Sequence, residues 1–225
     1  MVKSEKVNLR RKVVGDNETV DKILSCALHE FALHSIHGVS TREIAKKAGV
    51  NHACINYYFG GKHEMYVEIL RRAVEFFNEN YRVLLSEIDA YLKGGKSDRK
   101  KSGEYIKALL AKGRETMVLE GSESFQMLIR REESYPTDAF PILYDGVFKP
   151  LNEAIVALIR ADNPEISHEK ALAFSVSLLS LNVSQLLCKT GYLKLANKNV
   201  FDDAIRADFS DIVDKTIDNF IGQNK

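Results

Sequence analysis

The sequence predicts an all-α protein. Apolar residues recur at the three- and four-residue spacing of an amphipathic helix in one segment after another. No segment shows the sustained alternation of apolar and polar residues that is typical of a half-buried strand. The 225 residues are enough for one large or two small domains with a substantial core. The first apolar stripe consists of Val20, Ile23, Leu24, Ala27, Leu28 and Phe31 and predicts a helix over residues 19–35.

Charge is unevenly divided along the chain, although the formal net charge is only +1. Residues 1–63 contain ten Lys/Arg and six Asp/Glu, whereas residues 64–225 contain 22 and 25. A basic front part fits a module that meets phosphate, and a slightly acidic remainder fits one that does not. We find no membrane span or signal peptide in the pattern, and the three cysteines form no CxxC pair. We therefore expect a cytoplasmic protein without disulfides.

Residues 38–62, GVSTREIAKKAGVNHACINYYFGGK, predict two short helices joined by a tight turn. Ser40 and Glu43 have the spacing of a capping box at the start of the first helix. Gly49 ends that helix, because glycine takes the left-handed conformation without a steric penalty. Asn51 is a suitable N-cap for the second helix. Helix, glycine turn and polar helix together indicate a helix-turn-helix.

The outward side of the second short helix is uncharged and rich in groups that form hydrogen bonds. Such a surface suits the major groove of DNA, because base edges are read by donors, acceptors and small side chains, with phosphate-binding residues around them. Ile55, Tyr58 and Phe59 are expected to pack inward. The outward side consists of His52, Ala53, Asn56 and Tyr57.

The helix-turn-helix segment carries a pattern of residues that is shared with a known protein family. These residues are Gly38-Val39-Ser40-Thr41, Ile44-Ala45, Ala48-Gly49-Val50, Ile55, Tyr57-Tyr58-Phe59 and Lys62. From about residue 19 to residue 70, the chain resembles the N-terminal DNA-binding domain of the TetR/AcrR family of bacterial repressors. The resemblance implies a homodimer that binds a palindromic operator in double-stranded DNA and is released by a small-molecule inducer. The DNA contacts that it implies are Thr41, Arg42, His52, Ala53, Asn56, Tyr57 and Lys62.

The remainder of the chain is also predicted to be helical. A connector helix should cover residues 63–92, followed by a glycine- and charge-rich loop over residues 93–102. Pro150 should kink or split one of the later helices. The apolar stripes of the last two long helices are expected to be dimer faces. The later helices are predicted over residues 103–119, 122–133, 139–160, 167–189 and 202–222.

The rear half contains Met127–Glu132, Pro136-Thr137 with Ala139-Phe140, Gly146-Val147 and Lys149-Pro150-Leu151. These residues look like the C-terminal domain of the CecR (YbiH-like) branch of the family. The expected organisation is a basic flexible arm over residues 1–18, a helix-turn-helix domain over 19–63, and a regulatory ligand-binding and dimerisation domain over 64–225.

A ligand cavity is expected between the rear helices, although core packing is an equal explanation for most of its candidate residues. The candidates are Phe125, Arg130, Tyr135, Phe140, Tyr144 and Gln185. An alternative is a DNA-binding protein with no inducer or with a protein partner in control. An enzyme is disfavoured, because no catalytic triad, nucleophile elbow, phosphate loop or metal-ligand spacing is present, and we expect no cofactor. The inducer, the operator and the choice between repression and activation stay open.

Overall fold

The structure is a computed structural model that describes residues 18–95, 98–117 and 122–223. Within those residues the regular structure is helical and no strand occurs. The predicted all-α class is therefore confirmed. The basic arm, with Lys3, Lys6, Arg10, Arg11 and Lys12, lies outside the described residues.

The helices follow the sequence pattern closely. The first four are α1 (Glu18–His34), α2 (Thr41–Ala48), α3 (His52–Phe59) and α4 (Lys62–Lys93). They are followed by α5 (Arg99–Met117), α6 (Ser122–Ser134), α7 (Phe140–Leu143) and a π-helical turn (Tyr144–Phe148). The last four are α8 (Lys149–Asp162), α9 (His168–Leu187), α10 (Lys189–Leu195) and α11 (Asp203–Gln223).

Two compact units divide these helices between them. The first unit comprises the described residues up to Asn80 together with Thr116–Lys149. The second comprises Tyr81–Glu115 and the described residues from Pro150 onward. Helix α4 therefore contributes its first part to one unit and its second part to the other.

The core of the first unit is built by α1 packing against both α2 and α6. Helix α6 thus lies beside α1, although the short helices and α4 separate the two in the chain. The amphipathic stripe of α1 supplies one wall of this core, as its spacing predicts. The fully buried apolar residues include Ile23, Phe31, Ile44, Ile55, Met65, Ile69, Leu70, Leu128 and Leu143.

One carboxylate is buried within this first unit. Glu132 of α6 is fully buried and accepts a hydrogen bond from the hydroxyl of Tyr66 of α4. It also accepts hydrogen bonds from the backbone N–H and the hydroxyl of Thr137, at 3.2 and 3.0 Å. Burial, reinforced by the hydrogen bond to Glu132, raises the pKa of Tyr66 well above its ordinary value. These contacts tie α4 to α6 and to the turn that follows it.

The predicted break at Pro150 takes the form of the π-helical turn Tyr144–Phe148. Because Pro150 has no N–H, the carbonyl of Gly146 cannot receive the usual α-helical hydrogen bond from it. The turn also lies very close to α4, since a Cβ added to Gly146 would be 2.4 Å from Cγ1 of Val74. A side chain at position 146 would therefore displace the turn from α4.

The loop predicted over residues 93–102 is too long, because α5 already begins at Arg99. Asp98 caps this helix: its Oδ1 accepts hydrogen bonds from the backbone N–H groups of Lys100 at 2.9 Å and Lys101 at 3.3 Å. The glycines and charges before Asp98 concealed this N-cap in the sequence.

Helix α9 in the second unit has its polar side buried. The buried residues are Ala171, Ser175, Leu178, Asn182 and Gln185. The residues expected to form its apolar stripe lie elsewhere on the helix: Leu172 and Val176 are exposed, and Leu179, Val183 and Leu186 are half-buried. Leu187 is exposed as well.

By length and composition, α9 could cross a membrane, and it is the one such helix in the described part of the chain. The expectation that no stretch is long and apolar enough is therefore wrong. A helix covered by another protein surface meets the same two criteria.

Candidate nucleic-acid interface

Helix α2 has the termini that its sequence predicts. The backbone N–H of Ser40 donates to Glu43 Oε2 at 2.8 Å, and the backbone N–H of Glu43 donates to Ser40 Oγ at 3.2 Å. The hydrogen bonds from Ser40 hold the pKa of Glu43 below its ordinary value. Gly49 ends the helix in the left-handed conformation with φ of 68°. Both ends of α2 are thus set by local contacts.

Helix α3 is positioned in the same way. Asn51 Oδ1 accepts a hydrogen bond from the backbone N–H of Ala53 at 2.9 Å, and the fully buried Ile55 anchors the helix to the core. Ala53, Asn56 and Tyr57 are exposed, as expected. The 82 % exposure of Tyr57 is high for an aromatic side chain and leaves its hydroxyl accessible.

Tyr58 differs from the expectation that it packs inward, because 39 % of it is exposed. Its ring meets that of Tyr57 edge-on, with 4.9 Å between centroids. A phenol has an apolar ring and a polar tip, so a half-covered ring with an accessible hydroxyl is a stable arrangement. Tyr58 therefore belongs to the accessible side of α3, and sequence reasoning missed it.

The N-termini of α2 and α3 are joined by a side-chain hydrogen bond. Thr41 Oγ1 lies 2.9 Å from Nε2 of His52, and either group can donate, depending on the imidazole tautomer. Both side chains are half-buried, whereas the neighbouring Arg42 is exposed. Thr41 and His52 thus act as one unit between the two helices.

Lys62 begins helix α4 at the edge of the same surface. Its Nζ donates to the carbonyl oxygen of Val39 at 3.1 Å. An ammonium group has three N–H donors, so this bond orients the side chain and leaves donor capacity for a phosphate.

Two further contacts join α1 to its neighbours α2 and α6. The carboxylate of Glu30, which is nearly fully buried, pairs with Nζ of Lys47 at 2.6 Å and so joins α1 to α2. Arg131 of α6 donates from Nη2 to the carbonyl oxygens of Ala32 at 3.1 Å and Leu33 at 3.2 Å. The last turn of a helix leaves carbonyl groups without helical partners, and the guanidinium satisfies two of them.

The residues expected to line a ligand pocket lie in different places. Phe140 and Tyr144 are neighbours, with ring centroids 6.2 Å apart. Phe125 packs against the core of the same unit, whereas Arg130 and Tyr135 are exposed.

Gln185 lies in the second unit, where it is buried and donates weakly to the carbonyl oxygen of Asn182 at 3.4 Å. Asn182 and its partner Arg114 were missed in the sequence. The sequence pattern could have indicated Asn182, because Ser175, Asn182 and Gln185 are polar residues at helical spacing in an otherwise apolar segment.

Comparison with known families decides the identity of the chain. A model of the bacterial regulatory proteins of the tetR family matches residues 23–79. A model of the C-terminal domain of the HTH-type transcriptional dual regulator CecR matches residues 106–222, more than half of the chain. This chain belongs to the TetR family, in its CecR branch. The matching family and relatives are transcriptional regulators, so this TetR-family protein is a DNA-binding regulator and not an enzyme.

Individual relatives agree with that assignment. The regulator is 27% identical over 178 residues to CecR of Shigella flexneri, covering 76% of this chain and 79% of that protein. FadR from Bacillus subtilis, solved in complex with stearoyl-CoA, matches with a TM-score of 0.56 at 14% identity, over 87% of this chain and 96% of that one. A Saccharomonospora viridis protein solved in complex with choline matches with a TM-score of 0.52 at 20% identity, over 90% and 95%. These two structures support the fold alone.

Proposed function

We propose that this regulator binds a palindromic operator as a homodimer and represses transcription until a small molecule releases it. The observation that carries this proposal is the uncharged, accessible side of α3, which is fixed at both ends by caps. An asparagine such as Asn56 can bond adenine through two hydrogen bonds, and Ala53 can contact a thymine methyl group. His52 lies at the start of the same helix and completes the base-reading set.

Phosphate contacts are proposed around this reading side. Thr41 and Arg42 begin α2, where backbone N–H groups without helical partners favour anions. Tyr57, joined by Tyr58, and Lys62 lie at the other end. The Thr41–His52 hydrogen bond and the Lys62–Val39 hydrogen bond support this proposal, because they preorganise side chains that must meet the backbone in a fixed geometry.

We propose the same assignment of functions to the parts of the chain that the sequence predicts. Residues 19–63 form the DNA-binding part, and residues 64–225 form the regulatory and dimerisation part. We also propose that the regulator works in the cytoplasm.

Dimerisation is proposed through α9 and α11. Exposed apolar residues on both helices, Leu172, Val176 and Leu187 on α9 and Ile212 on α11, favour a second copy of the chain as their cover. A twofold axis through this surface forms a four-helix bundle and places two reading helices on a palindrome.

The inducer acts by changing the distance between the two reading helices. They must match about one turn of DNA, roughly 34 Å, so a shift of the connector helix α4 is enough to weaken binding. The related CecR is described as a dual regulator. Activation at some promoters is therefore the second candidate function.

Titrations of operator and random duplexes at several salt concentrations test the DNA-binding surface. The operator is sought as a palindrome in the DNA that flanks the gene. Lys62→Ala should weaken binding to both duplexes and flatten the slope of log K against log salt by about one, because one phosphate contact is lost. Asn56→Ala should weaken operator binding by about 1–3 kcal/mol and leave random DNA nearly unaffected, because it removes a base contact.

The matched control is Lys100→Ala, which removes an exposed cation from α5 in the second unit. Its slope should equal that of the wild type. An unchanged slope for Lys62→Ala would remove that residue from the interface. A protein that shifts no duplex even in dilute buffer would end the proposal.

A further inference from the structure

The interior of the second unit contains polar groups where an apolar core is expected. Helix α9 buries Ser175, Asn182 and Gln185 while it exposes leucine and valine side chains. Burying polar groups costs free energy unless each finds a partner, and this helix had apolar residues to turn inward instead. Its orientation therefore supplies hydrogen-bonding groups to the interior.

These groups converge on Arg114 of α5. Its Nη1 donates to Oδ1 of Asn182 at 2.7 Å, and Asn182, only 3 % exposed, donates from Nδ2 to the carbonyl oxygen of Leu110 at 3.1 Å. A Cβ added to Gly113 would lie 3.2 Å from the hydroxyl of Tyr81 and 3.3 Å from Nδ2 of Asn182. Because Gly113 has no side chain, the hydroxyl of Tyr81 and the amide of Asn182 can approach α5 at the residue before Arg114.

The anion opposite Arg114 is poorly placed. Asp214 Oδ1 lies 3.7 Å from Nη2 of Arg114, which is too long for a hydrogen bond. That oxygen is buried, and within the described part of the chain it has no hydrogen-bond partner. Helices α5 and α11 also form a close ion pair at another position, where Lys107 Nζ lies 2.6 Å from Asp218 Oδ1. The long contact is therefore specific to the Arg114 position.

We propose that Arg114, Asn182 and Tyr81 form the recognition site for the carboxylate of a small acid with an apolar body. In the ligand-free state, Asp214 occupies the anion position without making the hydrogen bonds that a ligand carboxylate makes. A guanidinium presents two parallel donors that match a carboxylate, and Asn182 and Tyr81 are the polar residues beside it. Leu110, Leu178 and Val213 lie within one helical turn of Arg114, Asn182 and Asp214 and are buried, so the surroundings of the site are apolar.

This site would connect the ligand to both proposed moving parts. Tyr81 belongs to α4, the connector helix, and Asp214 belongs to α11, one of the proposed dimer helices. Because Asp214 is 39 % exposed, the acid enters from that side and displaces its side chain. The inference rests on the proposed inducer response, for which it names the ligand class.

Thermal unfolding and calorimetry of the full chain without DNA test the site, with octanoate as the probe and octanamide as its uncharged isostere. Octanoate at about ten times its Kd should raise Tm by roughly 3–6 °C, and octanamide should have a much smaller effect. Arg114→Gln should abolish the difference between the two probes. Lys107→Gln, which removes another cation from α5, should preserve it. Asp214→Asn should tighten octanoate binding several-fold, because the competing carboxylate is gone.

Equal responses to the acid and the amide, or an unchanged octanoate response in Arg114→Gln, would overturn the site. If Arg114→Gln does not fold, Asp214→Asn decides alone: weaker or unchanged octanoate binding rejects the proposal. The measurements use protein alone, so the two proposals can fail separately. Octanoate binding without any operator binding would refute the proposed function, whereas operator binding without an octanoate response would refute only the acid site.

Discussion

Folding raises the pKa of the Tyr66 phenol. Burial, together with its hydrogen bond to Glu132, keeps its pKa well above the value of 10.0 that it has when exposed. Above pH 10 the unfolded chain releases this proton while the folded chain retains it, so stability falls as pH rises. We expect a loss of about 1.4 kcal/mol between pH 9 and pH 11 from this group alone.

Urea unfolding at both pH values measures that loss. Tyr66→Phe should be less stable at pH 9 by about 1–3 kcal/mol, since Glu132 loses a donor, but its additional loss at pH 11 should be smaller than that of the wild type. Tyr57→Phe, which alters an exposed phenol, should retain the alkaline loss. Identical pH dependence in all three proteins would contradict the role given to Tyr66.

Local residue patterns made the caps predictable, whereas contacts between helices were not. Ser40, Glu43 and Gly49 interact within a few residues of chain, and the structure shows each in its predicted role. The Thr41–His52 bond depends on the angle between two helices. The prediction for Tyr58 was wrong because the end of a short helix lets a ring turn half outward.

The π-helical turn is the element whose packing allows the sharpest test. Gly146→Ala should destabilise the protein by about 1–3 kcal/mol, because the new methyl group overlaps Val74 of α4. Val74→Ala should recover part of that loss in the double variant. The control is Gly191→Ala in α10, where an added Cβ meets nothing within 4 Å; it should be neutral or stabilising by up to about 1 kcal/mol. Additive losses in the double variant would show that the two residues do not touch.

Periodicity predicted the long helices but not α10, and Pro150 predicted where one of the long helices breaks. The early start of α5 at Arg99 was missed, because Asp98 as a cap outweighs a glycine- and lysine-rich approach. The packing of α6 against α1 was also invisible. Its pairing joins residues almost a hundred positions apart, as Arg131 and Ala32 show, and no local pattern encodes such a partner.

At the scale of the whole molecule, the exposed side of α9 is the proposed dimer surface. Val176→Glu places a charge on the proposed dimer surface and should shift sedimentation at micromolar concentration from dimer to monomer, with operator binding greatly weakened. Ser177→Glu, at the next and also exposed position, should leave the dimer intact. A wild-type protein that sediments as a monomer would reject the surface outright.

The apolar stripe of α9 could be found in the sequence, but not the side that faces the interior. Amphipathic helices normally bury their leucines and valines, and here the buried side carries Ser175, Asn182 and Gln185. We expected the apolar stripe of α9 to be a dimer face, and the exposure of Leu172 and Val176 agrees with that proposal.

The hydrogen bonds from Arg131 of α6 to the last turn of α1 have a consequence for folding during translation. Helices α1 to α3 leave the ribosome many seconds before α6, at about 5–20 residues per second. Until then the apolar flank of α1 that α6 covers is bare, and a nascent chain stalled before residue 122 should attract chaperones or aggregate. The same reasoning predicts that a minimal DNA-reading fragment will need the distant α6 supplied in trans to remain folded.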